Sequence, residues 1–164
     1  IAAIGHDKDL QPLKGLFNEQ QMITMRFEGG EQAGHLDYAS FLGTAAIGIP
    51  PLPLHEYGNL YHDINVSIAP LAKTDFNMCK SSLKIQEAGF KKRAIMCSDV
   101  PLYNDIIEHG KTGILCKYGE DWKREIDAMT TQKAIDLGEA LHERVKDEFN
   151  VHTINKLRVE SIFR

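Results

Sequence analysis

From His55 onward, short β-branched runs alternate with longer amphipathic stretches, and few folds accept that pattern. Strands with period-two or fully apolar character, separated by helical stretches, make βαβ units around a parallel sheet. Strands are expected over 64–69, 93–97 and 114–117. Helices are expected from 55 to about 62, over 77–90, around 103–108, over 122–129, over 134–149 and over 153–163. Before His55 the expectations are a strand over 1–4, a helix over 9–18 and a strand over 21–27. Leu10, Leu13, Leu16 and Phe17 would face inward on that first helix. A glycine-containing loop over 28–35 then leads to a helix over 36–46, and Pro50, Pro51 and Pro53 keep 47–54 extended. The fold class is therefore α/β.

Within this frame, the run from Ile64 to Glu87 carries the most chemistry. An apolar strand closed by Pro70 leads through a loop into a helix, and positions 77, 80, 84 and 87 fall on one stripe at helical pitch. Lys80 and Lys84 are one turn apart there. Like charges at that spacing repel unless an anion lies between them. In open parallel sheets, ligands settle outside the carboxyl ends of the strands, and helix N-termini attract phosphate. Asp75, Asn77, Lys80 and Ser81 follow the 64–69 strand, and Ser98 to Tyr103 follow the next one. Glu87, a turn deeper, has the acceptors to meet two vicinal hydroxyls. A solvent-facing stripe with a Lys84–Glu87 pair accounts for the same spacing, so periodicity alone leaves both readings open.

Composition narrows the partners. A chain of 164 residues with 43% hydrophobic content can bury a sizeable core. Its formal charge of −4 argues against a nucleic-acid binder. Cys79, Cys97 and Cys116 are odd in number and form no C-x-x-C pair, so neither a disulfide framework nor a zinc site is expected, and a reducing cytoplasmic setting follows. The opening residues show no secretory signal, and the first residue, Ile1, suggests a fragment. The apolar stretch 41–54 is too short and too rich in proline to span a bilayer. Gly110-Lys111-Thr112 is not a phosphate loop of the Walker kind, because Asp105 stands where the first glycine is needed and a strand follows. The seven histidines include no metal-type pair at four-residue helical spacing, and neither a G-x-S-x-G elbow nor a G-x-G-x-x-G fingerprint is present.

The ordered series Ile68-Ala69-Pro70-Leu71, Phe76-Asn77, Lys80-Ser81, Lys84 and Glu87-Ala88-Gly89 resembles the nucleotide-sugar-binding half of group 1 (family 4-like) glycosyltransferases. So do Ala94 to Val100 with Tyr103, His109 to Leu115, and Asp121-Trp122; the resemblance runs from about His55 to Met129. It implies a three-layer Rossmann-like domain over 1–164, equivalent to the C-terminal half of the two-domain GT-B architecture. The N-terminal acceptor domain would be absent. It further implies that Lys80, Ser81 and Lys84 hold the donor diphosphate, that Glu87 binds ribose, and that Lys80, Lys84 and Glu87 form the catalytic set. Asp75, Asn77, Ser98 and Tyr103 become the remaining substrate-binding candidates. Many relatives carry a glutamate eight residues before the ribose-binding one; here Cys79 stands there, within an Asn-x-x-Lys-Ser-x-x-Lys-x-x-Glu pattern.

Sugar transfer of this kind is implied to be retaining and to need no metal or cofactor. The implied partners are a nucleoside diphosphate sugar, the N-terminal domain and, for the full-length enzyme, a membrane surface, in glycan or polysaccharide assembly. Two other readings stand beside it: a non-catalytic Rossmann-like interaction module, and a GT-B-type nucleotide-sugar epimerase.

Overall fold

A computed structural model describes residues 7–18, 23–26, 41–43, 46–49, 52–117 and 119–162. In chain order, α1 (Asp7–Leu10) runs into a 3₁₀ turn (Gln11–Leu13), followed by β1 (Ile23–Arg26) and β2 (Ala46–Ile49). A 3₁₀ helix (Leu54–Tyr61) precedes β3 (Val66–Ala69), α2 (Asp75–Met78), α3 (Leu83–Phe90) and β4 (Ala94–Ser98). Then come α4 (Pro101–Asn104), β5 (Ile114–Cys116), α5 (Gly119–Asp127), α6 (Thr131–Glu148) and α7 (Val151–Ile162).

The parallel sheet expected from the alternation is present. Strands β3, β4 and β5 pair in that order, all parallel, with Val66 opposite Ala94 and Met96 opposite Ile114. β1 and β2 form a separate parallel pair, with Ile23 opposite Ala46. β4 is the central strand and buried along its whole length, as an Ala-Ile-Met-Cys-Ser run without polar alternation requires.

Because side chains alternate across a strand, β4 divides the core into two layers. Ala94 and Met96 join Ile114, Cys116, Trp122, Ile126, Leu137 and the N-terminal residues Leu10, Leu13 and Phe17. Ile95 and Cys97 join Tyr61, Ile85, Ala88, Tyr103, Leu141 and Val145 on the other side. The long helix α6 contributes to both layers, through Ala134 and Leu137 on one and Leu141 and Val145 on the other. It approaches β4 at Gly138, where an added Cβ would collide with the carbonyl oxygen of Lys92. This is the three-layer α/β arrangement that the sequence implied.

Local boundaries differ from expectation in instructive ways. The helix expected over 77–90 is two helices with a break at 79–82. Thr74 starts the first one early by accepting the Asn77 amide, and the amides of Cys79 and Lys80 close it onto Phe76 and Asn77 carbonyls. Ser81 and Ser82 then follow, residues whose hydroxyls compete with helical backbone bonds. Ser82 accepts the amides of Ile85 and Gln86 and so begins α3. Asp121 does not precede its helix but sits in the first turn of α5, accepting the Lys117 amide at 3.0 Å.

The helix around 103–108 is shorter and earlier, Pro101–Asn104, with Pro101 in the first turn where its missing N–H costs nothing. The 9–18 helix ends early because the chain tightens at Pro12, yet Leu10, Leu13 and Phe17 are buried as expected and Leu16 packs beside them. The 1–4 strand and the 28–35 loop lie outside the described residues, as does most of the 36–46 helix, whose last expected residue, Ala46, is already strand. No helix among the described residues is long and apolar enough to cross a membrane.

Candidate functional site

The carboxyl ends of β3 and β4 open onto two loops, and one side chain ties them together. Ser98, the last residue of β4 and 7% exposed, accepts the Leu71 amide on its Oγ at 2.8 Å. Asp99 follows, donating its amide to the Cys116 carbonyl and accepting the side chains of Asn104 (2.7 Å) and Lys117 (3.5 Å). The strand ends are thereby fixed relative to each other before any ligand arrives.

The loop after β3 is held from an unexpected quarter. Asp9, only 6% exposed, accepts the Ala72 amide and the Asn77 Nδ2 on one oxygen, each at 2.7 Å. Its other oxygen lies 3.5 Å from Lys80 Nζ. Asn77, 4% exposed, also donates to the Ala72 carbonyl at 2.8 Å. Burying a carboxylate is costly unless it is paired and hydrogen-bonded, and here Ala72, Asn77 and Lys80 meet that need. Asn77 therefore braces the loop with its side chain, and the capping oxygen at α2 comes from Thr74.

Four of the candidate residues share the break and the helix beyond it. Lys80 lies in the break, half-buried, with its ammonium 5.3 Å from the centre of the exposed Phe76 ring. Ser81 is exposed beside it. Lys84 and Glu87, both half-buried, lie one turn apart on α3. Ser82 heads α3 without a side-chain cap; its hydroxyl accepts Gln86 Nε2 instead. The leading amides of a helix lack intrahelical acceptors and carry the positive end of its dipole, so α3 opens toward Lys80 and Ser81 as an anion-attracting terminus.

The remaining candidates are elsewhere. Asp75 is exposed at the start of α2. Tyr103 is buried beneath the β4 loop in the same apolar layer as Ile85 and Cys97, where burial above all, then the neighbouring Cys97 and Asp9, pushes its phenol ionisation upward. Cys79 is exposed. Among the described residues no group of three or more His, Cys, Asp or Glu side chains is arranged to hold a metal ion.

Two contributors escaped sequence reasoning. Asp9 read only as the start of a helix, and Tyr61 only as part of a short one. Tyr61 is 3% exposed and donates its hydroxyl to Glu87 Oε2 at 2.7 Å. Neither residue has a spacing signal, since their partners lie 63, 68 and 26 residues away.

No family model and no curated protein matches the sequence. Solved structures do match its fold. HepE from Anabaena, in complex with UDP, superposes with a TM-score of 0.71 at 18% identity, over 97% of this chain and 45% of HepE. TarM gives 0.63 at 15% identity, over 84% of this chain and 28% of TarM. The C-terminal domain of LpcC, a glycosyl transferase group 1 family protein from Francisella tularensis, gives 0.57 at 15% identity over 70% of this chain and 58% of that domain. The chain thus spans less than half the length of HepE or TarM. At these identities the likeness is one of fold: the parallel three-stranded core is that of a Rossmann-like, GT-B-type C-terminal domain.

Proposed function

We propose that this chain is the donor-binding domain of a glycosyltransferase, moving a sugar from a nucleoside diphosphate sugar to an acceptor. The observation that carries the reading is the placement of α3. The helix opens just beyond the carboxyl edge of β3, with Lys80 and Ser81 before it and Lys84 and Glu87 along it. The Anabaena HepE structures, which share the fold, hold UDP and UDP-glucose, and this supports a nucleoside diphosphate sugar as the ligand here.

Each residue then has a chemical task. Breaking the bond between sugar and diphosphate leaves growing negative charge on the phosphate oxygens. Lys80 and Lys84, with the leading amides of α3, stabilise that charge, and preorganised cations and dipoles are the largest single source of such catalysis. Ser81 donates to a phosphate oxygen, and Glu87 accepts from the ribose hydroxyls. Asp9 keeps the Lys80 ammonium at the mouth of the loop rather than in bulk water. Asp75, exposed at the start of α2, is the candidate for sugar contact. Ser98 and Tyr103 act from behind, one holding the Leu71 backbone and the other filling the layer under the loop.

In this reading 1–164 is one nucleotide-sugar-binding domain, its acceptor half an N-terminal Rossmann-like domain of the same protein. Transfer is retaining and metal-independent, with the lysines in the place a divalent cation would otherwise take. The setting is cytoplasmic glycan or polysaccharide synthesis with peripheral attachment to the membrane, in keeping with three free thiols.

Calorimetric titration with UDP and GDP tests the proposal. One of the two should bind, and Lys84→Ala should weaken it by at least about tenfold, the scale of a hydrogen bond to a charged group. Glu87→Ala should weaken the same ligand. Absence of binding by both nucleotides, or affinity indifferent to both substitutions, rejects a donor site at α3.

A further inference from the structure

Glu87 does not stand alone on α3. Its Oε2 accepts the hydroxyl of Tyr61 at 2.7 Å, and Tyr61 closes the 3₁₀ helix Leu54–Tyr61 on a separate stretch of chain. Arg93, entering β4, fixes both ends of this pair. Its Nε donates to the Tyr61 carbonyl at 2.7 Å and its Nη2 to the His62 carbonyl at 2.9 Å. Its own amide donates to the carbonyl of Ala88, the residue after Glu87, at 2.9 Å. The Tyr61 ring is packed in the apolar layer with Leu71, Ile85 and Ala88. Burial, then the bond to Glu87, raises the ionisation of the phenol, so it stays a donor across the working range of pH.

We propose, resting on the donor-site reading above, that Tyr61 is the positioning residue for ribose recognition. By holding Oε2, it fixes the plane of the Glu87 carboxylate so that the vicinal 2′ and 3′ hydroxyls of a nucleoside diphosphate meet a preset acceptor. A carboxylate has about four acceptor directions, and one phenol occupies a single one of them. A glutamate free to rotate must be ordered when ligand binds, and that ordering subtracts from affinity. Tyr61 has already ordered it.

The experiment titrates the full-length protein with UDP, or with GDP where that is the nucleotide bound, and with the 2′,3′-dideoxy form of the same nucleotide. Tyr61→Phe keeps the ring and removes only the donor. The preference of the wild type for the parent nucleotide over its dideoxy form should shrink about fivefold, the effect of one net hydrogen bond. Affinity for the dideoxy form should be unchanged, and Tyr61→Phe added to Glu87→Ala should cost nothing more. A ratio between two ligands is insensitive to a general loss of stability, so the measure survives a weaker fold. Should Glu87→Ala weaken the parent nucleotide while Tyr61→Phe does not, the positioning role is refuted and the donor site stands. Equal losses for both nucleotides also refute it, since the residue would then be structural only. Indifference of the parent nucleotide to Glu87→Ala as well removes the ribose contact itself, and Tyr61 with it.

Discussion

On one side of β4, Ala94 and Met96 meet Trp122, Leu137 and the N-terminal Leu10, Leu13 and Phe17, an almost wholly apolar layer. On the other side, Ile95 and Cys97 meet Ile85, Ala88, Tyr61 and Tyr103, a layer whose rim carries Lys84, Glu87 and the Tyr61 hydroxyl. The first layer anchors the N-terminal segment that supplies Asp9; the second positions the helix that carries Lys84 and Glu87. One strand thus separates an apolar layer from one whose rim carries polar candidate residues, with α6 packed against both.

The contrast can be broken most severely at Trp122, which is fully buried in the first layer. Trp122→Ala should cost about 3–5 kcal/mol, the usual range for deleting a buried aromatic, read from urea unfolding. Its effect on nucleotide affinity should be smaller than that of Lys84→Ala; a reversed order would mean the two faces are not separable. The seam between the layers gives a smaller effect. Gly138→Ala drives a methyl into the Lys92 carbonyl, which is backbone and cannot swing aside, so a loss of about 1–3 kcal/mol is expected from overpacking in the same assay. A wild-type midpoint would show that α6 can slide on β4.

A lesser change should come from Thr130, whose hydroxyl accepts the Lys133 amide at 3.1 Å and caps α6. Thr130→Ala should cost about 1 kcal/mol in thermal unfolding and leave nucleotide binding alone. The gentlest probe removes nothing. Burial above all pushes the Cys97 thiol up and that of Cys116 up to about 12, one on each face. At neutral pH both remain protonated and shielded, so alkylation of the native protein should mark Cys79 alone, and Cys97 and Cys116 only after denaturation. Rapid labelling of Cys116 but not Cys97 would show that the first layer opens first.

Much of this was legible along the chain. The alternation of short apolar runs with amphipathic ones determined a parallel α/β sheet, because strand and helix periods are local properties that need no partner to be read. The same runs located β3, β4 and β5 to within a residue or two and put Lys84 and Glu87 one turn apart on a helix. Tertiary structure decided the rest. It split the expected 77–90 helix at 79–82, where the Cys79 and Lys80 amides turn back onto the Phe76 and Asn77 carbonyls and a new helix starts on the Ser82 carbonyl. It engaged the Asn77 side chain in bracing the loop after β3, and it brought Asp9 and Tyr61 to the candidate residues across 63 to 68 and 26 residues. Periodicity records which face a side chain takes within its own element. Which distant side chain waits on that face depends on how the elements pack, and no spacing within one element encodes it.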